Sequence, residues 1–289
     1  VSGGPDSLAL LLLAKAAGSD RFEAATVDHG LRLESAAEAR FVADLCAELD
    51  VRHTILRVEV ATGNLQAQAR EARYAALHGW ARERGLGTIA TAHHADDQAE
   101  TVLMRLNRGS GIGGLSGIRR ETYPFDDGMA VIRPLLGWRK AELEAIVAAA
   151  GIEPVRDPSN ENADFDRVRM RKLLAENDWL DPLAIARSAT HLASAEALLT
   201  VLSAREWDEQ VTIDGTTIRY RPLQPTVIRL GIVARAVHLL GGRGAIRGSA
   251  VAALEEALTQ GHGGNLGGVL ARVVDGEWIF EPEPPRRSG

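Results

Sequence analysis

Two stretches carry the residue types that chemistry needs. The first is Ser2-Gly3-Gly4-Pro5-Asp6-Ser7, directly ahead of an apolar segment. Two glycines let a backbone approach an anion closely, and the N–H groups that open a helix favour negative charge. Ser2 and Ser7 add hydroxyl donors. Asp6 is out of place in a pure anion site, and it makes sense if a divalent metal bridges it to phosphate or if it caps the helix. The second stretch is His93-His94-Ala95-Asp96-Asp97-Gln98-Ala99-Glu100-Thr101. Asp97, Glu100 and Thr101 share one helix face at spacings of three and four, with Arg105 and Arg108 further along. Two imidazoles and several carboxylates at a strand's carboxyl end can hold a magnesium ion and orient phosphates.

The elements needed to position these groups are legible. Asp6 to Ala17 reads as a helix stopped by Gly18, and Phe22 to Val27 as a strand. Ser35-Ala-Ala-Glu38 is a capping box opening a helix with Phe41, Val42, Leu45 and Leu49 at helical spacing. His53 to Val60 reads as a strand, Asn64 as the cap of a helix to Arg84, and Gly87 to Ala92 as a buried strand. This alternation predicts an α/β fold: a doubly wound, mostly parallel sheet. Arg108 to Gly117 is glycine-rich and predicts a flexible, substrate-facing loop; Gly111-Ile-Gly113-Gly114 follows a helix, which rules out a dinucleotide loop. Further on come a strand at Met129 to Leu136, a helix at Arg139 to Ala150 and a long amphipathic helix at Pro182 to Glu209. Short strands then follow within Val211 to Tyr220 and Val269 to Phe280, and Glu281 to Gly289 is expected to fray. A phosphate loop needs a strand before it, so a first strand is expected ahead of Val1.

The 289 residues suffice for one large and one small domain, with an ordinary apolar share of 45%. The longest apolar run, Leu8 to Ala14, is too short to span a bilayer, and no signal peptide is read. One cysteine, Cys46, excludes a disulfide framework or multi-cysteine metal site within these residues, and it sits on an apolar helical stripe. A cytoplasmic location follows as the default. The net charge of −6 argues against general, charge-driven nucleic-acid binding. Between Arg105 and Lys172, however, 12 basic residues face 10 acidic ones, and Arg167, Arg169, Arg171 and Lys172 cluster. That cluster is either an RNA contact or a solvated face paired with Asp164 and Asp166.

Taken in combination, these residues resemble the tRNA(Ile)-lysidine synthetases of the PP-loop ATPase superfamily. The loop at Ser2 to Ser7 is similar to that superfamily's Ser-Gly-Gly-x-Asp-Ser, and the stretch from His93 to Thr101 to the narrower family's signature. Val27-Asp28-His29-Gly30-Leu31-Arg32, Glu34-Ser35, Asn64, Gln66-Ala67, Ala69-Arg70, Arg73-Tyr74, Ile132-Arg133-Pro134-Leu135-Leu136, Arg139, Glu142-Leu143, Asp157-Pro158-Ser159-Asn160 and Phe165 to Arg171 extend it across residues 1 to 175. The chain resembles a short form, ending where longer members carry another domain. The resemblance implies ATP and Mg2+ as cofactors, free L-lysine and a tRNA(Ile) with a CAU anticodon as partners, no membrane, and room for an oligomer. It implies an adenylated wobble cytidine attacked by lysine. Asp6, Asp96, Asp97 and Arg105 are then expected to be catalytic. Ser2, Gly3, Gly4, Pro5, Asp6, Ser7, Asp28, His29 and His93 would bind ATP, Asp6 and Asp97 the metal, and Arg108, Arg167, Arg169 and Arg171 the tRNA. The expected domains are 1–177 (catalytic), 178–210 (helical connector) and 211–289 (a small α+β accessory domain contacting tRNA).

Competing readings stay open on the residues alone. The His/Asp cluster suits a transition-metal site or a merely capped helix. Another PP-loop ligase or thiolase shares the phosphate loop, although the sulfur-inserting enzymes generally depend on cysteines. A non-catalytic nucleotide-binding module resembling universal stress proteins would have no need of the Asp96-Asp97 pair.

Overall fold

A computed structural model describes residues 1–18, 22–30, 35–58, 65–155, 166–241 and 246–284. In chain order the elements are α1 (Pro5–Ala16), β1 (Ala24–Asp28), α2 (Ser35–Glu48), β2 (His53–Arg57), α3 (Leu65–Glu83), β3 (Thr88–Ala90) and α4 (Ala95–Asn107). Then follow α5 (Ile112–Leu115), β4 (Glu121–Thr122), β5 (Ala130–Ile132), α6 (Lys140–Ala149), α7 (Asp166–Glu176) and α8 (Pro182–Gln210). The last are β6 (Val211–Asp214), β7 (Thr217–Tyr220), α9 (Thr226–Leu240), α10 (Gly248–Thr259), β8 (Gly264–Leu266), β9 (Val269–Val274) and β10 (Glu277–Pro282). The expected cap Asn64, the end of the predicted strand at Val60, and the motif residues Leu31, Arg32, Glu34, Asp157 to Asn160, Asp164 and Phe165 lie outside the described residues, as do 285–289.

The chain divides into two compact units, one of Val1–Met104 with Gly117–Ala189, the other of Arg105–Ser116 with Thr190–Gly289. The division falls inside α4 and α8. In the first unit β1 and β2 run parallel, from Ala24 opposite His53 to Asp28 opposite Arg57. β3 runs parallel to β5, and β4 adds antiparallel to β5. Parallel neighbours need crossovers, and α2 supplies the one between β1 and β2, so this unit is α/β. Its core joins Leu8, Ala9 and Leu11 of α1, Val42, Leu45 and Cys46 of α2, and Leu143 and Val147 of α6. Val1 lies alongside β1, where its carbonyl accepts the Thr26 hydroxyl at 2.7 Å.

Two stretches differ from expectation. The predicted strand at Met129 to Leu136 stops at Ile132, and Pro134–Gly137 turn as a 3-10 helix. Pro134 has no N–H to donate to a ladder, and its fixed φ suits the first helical position. The glycine-rich stretch expected to be a loop holds a helical turn, α5, closed by the Ser116 hydroxyl on the Ile112 carbonyl at 2.8 Å.

The second unit is α+β. Its five strands are ordered β6-β7-β10-β9-β8, all antiparallel. Asp275 and Gly276 both have positive φ, 52° and 79°, and so form the mirror-image turn that matches strand twist between β9 and β10. Ile232, Val233, Ala236 and Val237 of α9 and Leu254 and Leu258 of α10 pack with Ile218, Tyr220, Trp278 and Phe280. Glu206, 6% exposed, accepts the Tyr220 hydroxyl at 3.1 Å. No described helix is long and apolar enough to cross a membrane.

Candidate active site

The loop from Ser2 to Ser7 ends in the first turn of α1, with Gly4 as N-cap and Pro5 at the first helical position. Gly4 offers no side chain to cap the helix. The N–H groups of the first turn have no partner within the helix, and the helix dipole adds positive potential there. Gly3 has φ +80°, and a Cβ on it would stand 3.0 Å from Val155 Cγ2, so both conformation and space demand glycine. The Gly3 carbonyl accepts the Val155 N–H at 2.9 Å. The two serines do something the sequence did not show: they brace the loop. Ser7 Oγ accepts the Ser2 N–H at 3.0 Å and donates to the Gly4 carbonyl at 3.0 Å.

His94 is the centre of the acidic cluster. It is 4% exposed. Its Nε2 lies 3.6 Å from Asp6 Oδ2 and 3.5 Å from Asp97 Oδ2, and its Nδ1 lies 3.6 Å from Asp96 Oδ2. One imidazole thus joins the start of α1 to the start of α4. Burial opposes its charge, but hydrogen bonds to Asp6 and Asp96 and the charge of Asp97 outweigh it, and its pKa is pushed up to about 9. The adjacent His93 goes the other way. Burial, with Arg133, Arg167 and Arg70 nearby, brings it down to about 4 despite Asp97, so it is neutral at pH 7. The Thr91 hydroxyl lies 3.0 Å from its Nδ1.

Each carboxylate has a separate situation. Asp96 is gripped by Arg139, whose Nε lies 3.2 Å and 3.3 Å from its two oxygens, and it accepts the Lys140 N–H at 2.7 Å. Burial raises its pKa, but His94, Arg139 and the Lys140 N–H together hold it well below the usual carboxylate range. Asp97 accepts from the Arg167 Nη2 and from the His94 backbone N–H, the latter at 3.1 Å. Asp6 Oδ1 is buried with no partner. Glu100, 2% exposed, accepts Arg167 Nε at 2.7 Å and Arg171 Nε at 2.9 Å.

The remaining expected residues are placed as follows. Asp28 ends β1 and accepts the Gly30 N–H at 2.9 Å; that bond and the Ser35 side chain lower its pKa. Both ring nitrogens of His29 are buried without partners, and burial and Arg73 lower its pKa. Arg105 and Arg108 belong to the second unit, where Arg105 Nη1 donates to the Gly114 carbonyl at 2.7 Å. Of the arginine cluster, Arg167 and Arg171 turn inward to Asp97 and Glu100, while Arg169 lies 3.7 Å from Asp166 with 63% of its side chain exposed. Sequence reading gave His94 no role distinct from that of His93, and did not show Glu100 as a double acceptor or the burial of Arg133, whose Nη1 donates to the Arg119 carbonyl at 2.9 Å. Glu100 carried one available signal, its spacing of three from Asp97.

A magnesium ion fits this donor set in one manner. Among the described residues no group of three side chains forms a metal cage. Mg2+, however, usually takes one or two carboxylates and completes its shell with water and phosphate oxygens. Asp6 and Asp97 each bring one oxygen to within 3.6 Å of His94 Nε2 at the uncapped start of α1, and the second Asp6 oxygen, Oδ1, is buried without a partner, an acceptor left for a cation.

The sequence profile of the PP-loop domain matches residues 1–177. The tRNA(Ile)-lysidine synthase of Novosphingobium aromaticivorans is 46% identical over 291 residues, covering 100% of this chain and 89% of that protein. The enzyme of the same name from Zymomonas mobilis is 42% identical over 294 residues, covering 100% and 88%. Among solved structures, the U34-tRNA thiolase NcsA from Methanococcus maripaludis with its [4Fe-4S] cluster is similar in fold, with TM-score 0.56, 19% identity, and coverage of 66% of this chain and 69% of that one.

Proposed function

The chain belongs to the tRNA(Ile)-lysidine synthase family, built on a PP-loop domain, and from that premise we propose how its own residues carry the reaction. It is a tRNA-modifying ligase that uses ATP to form lysidine. The reaction has two parts. The C2 carbonyl oxygen of the wobble cytidine, in a tRNA(Ile) with a CAU anticodon, attacks the α-phosphorus of ATP, and pyrophosphate leaves. The amine of free L-lysine then attacks C2, AMP leaves with that oxygen, and the amine gives up a proton.

The N–H groups at the start of α1 and the loop at Gly3 and Gly4 cradle the phosphates. Asp6 and Asp97 would hold Mg2+, which, when bound, neutralises charge on the phosphate oxygens. His94 keeps these two carboxylates together. Asp96 acts through Arg139 and α6, fixing the start of α4 as a positioning residue. His93, held neutral, offers hydrogen bonding without charge. Asp28 and His29 at the end of β1 lie where ligands bind in open α/β sheets, and they are assigned to ATP. Arg105 is kept as a stabiliser of developing charge, and Arg108 and Arg169 as contacts to RNA phosphate. Residues 1–177 form the catalytic domain, 178–210 a helical connector, and 211–289 an accessory tRNA-contacting domain. The proposed cellular setting is cytoplasmic, and the assignment is compatible with an oligomer.

The observation that carries the chemistry is the meeting of Asp6 and Asp97 within 3.6 Å of one imidazole beside an uncapped helix start. A thiolase with a cysteine-held cluster is disfavoured, since Cys46 is 0% exposed in the core and burial raises its pKa. Labelled lysine, ATP and Mg2+ supplied with a CAU-anticodon tRNA should give labelled tRNA together with AMP and pyrophosphate. ATP–pyrophosphate exchange without lysine incorporation would transfer the assignment to another PP-loop ligase.

A further inference from the structure

Trp179 is 75% exposed, a large apolar surface to leave in water. It is not loose. Its indole Nε1 donates to Asn177 Oδ1 at 3.3 Å, and Asn177 Nδ2 donates to the Leu173 carbonyl at 2.8 Å. The Leu180 N–H closes the turn on the Asn177 carbonyl at 3.0 Å. The ring is therefore tethered by its polar edge to the last turn of α7 while its surface remains in solvent. Asp181, next in the chain, is occupied: it accepts the Leu183 N–H at 2.8 Å, capping α8, and lies 3.7 Å from Arg187.

The other end of α7 is fixed in the candidate active site. Arg167 and Arg171, four residues apart and so on one helix face, hold Asp97 and Glu100. Arg169, Lys172 and Leu173 fall on the opposite, outward face, and all three are exposed. From Arg167 to Leu173 is six residues, about 9 Å along the helix axis. At 3.4 Å per stacked base, that is roughly three base steps.

We propose that Trp179 is a stacking platform for an unpaired base of the RNA substrate, a few nucleotides from the one that reacts. This rests on the reading of the site as a tRNA-modifying centre. An anticodon loop presents several unpaired bases beside the wobble position, and exposed aromatic faces are what single-stranded RNA loops stack on. The contact itself is a stacking one, made through the π-face that every base presents, and no charged group is needed for it. The platform is therefore sequence-tolerant and insensitive to salt. It adds affinity and register without touching the reacting atoms.

The test uses the whole chain of residues 1–289 with Trp179→Ala and Trp179→Phe. In lysine incorporation, Trp179→Ala is expected to raise KM for tRNA about tenfold, the size of one lost stack. Its kcat at saturating tRNA, its KM for ATP and its salt slope of tRNA binding should match the unsubstituted protein. Trp179→Phe, which keeps an aromatic face, should stay within about threefold. Binding of a CAU anticodon stem-loop RNA, followed by anisotropy, should weaken in parallel. A KM for Trp179→Ala within twofold of the unsubstituted protein overturns the proposal. So does a change that tracks loss of self-association in sedimentation, which would make the ring a protein contact. If the unsubstituted chain incorporates no lysine but binds the stem-loop through Trp179, the assigned reaction fails and the platform stands.

Discussion

Arg139 grips Asp96 edge-on, its Nε within 3.3 Å of both carboxylate oxygens and its Nη2 3.1 Å from one of them. The pair ties the first turn of α4 to the residue that opens α6, and the Lys140 N–H completes it. Of the two adjacent aspartates, Asp96 is therefore committed to the scaffold. Asp96→Asn should cost roughly 1–3 kcal/mol of stability, the range for leaving a charged hydrogen-bond partner unsatisfied. Urea unfolding measures it; an unchanged midpoint would return Asp96 to the residues expected to be catalytic.

Asp6 presents the contrary case. Its Oδ1 has no partner, so the fold gains little from that atom. Asp6→Asn should leave the melting temperature within a few degrees and lower kcat by about a hundredfold or more, as loss of one electrostatic stabiliser does elsewhere. Near-normal turnover at saturating ATP and magnesium would reduce Asp6 to a cap for α1.

His94 makes stability depend on pH in a definable window. Its folded pKa, about 9, stands above the ordinary value of 6.5. The folded protein therefore binds more protons than the unfolded chain between these two values. The stabilisation is fully present below pH 6.5 and is lost as pH rises through about 9. The change is at most roughly 3 kcal/mol at 1.36 kcal/mol per pH unit. Unfolding free energies at the two ends, without divalent metal, give the slope, and His94→Asn should flatten it.

Arg169 and Arg171, two residues apart, should respond differently to charge reversal. Arg169→Glu removes an exposed cation, and it should weaken tRNA binding and reduce the salt slope by about one. Arg171→Glu sets a second carboxylate against Glu100, which is 2% exposed, and should lower stability first. Paired measurements of melting temperature and tRNA affinity separate the two. If both variants melt like the parent, the inward role of Arg171 is wrong.

These contrasts mark where the sequence was informative. Local rules found the stripe on α2 with Cys46, the stop at Gly18, where φ is +69°, and the phosphate loop at the head of α1. Their physical causes lie within a few residues of each other. The roles of His93 and His94 were not legible, because identical neighbours differ only in what the fold brings to them: arginines to one, three carboxylates to the other. Arg167 reaches Asp97 and Glu100 across 70 and 67 residues, so its pairing could not be read from α7 alone. Nor did composition distinguish serines that donate to an anion from serines that brace their own loop.

The hydrogen bond from Val155 to the Gly3 carbonyl and the hold of Arg167 on Asp97 lie at the two ends of one stretch, residues 156–165. The chain leaves the phosphate loop at one anchor and returns to the acidic cluster at the other. Two separate holds, a backbone one on the phosphate loop and an ionic one on the acidic cluster, thus bear on the same few residues of chemistry, so a change that loosens either is felt at the start of both α1 and α4.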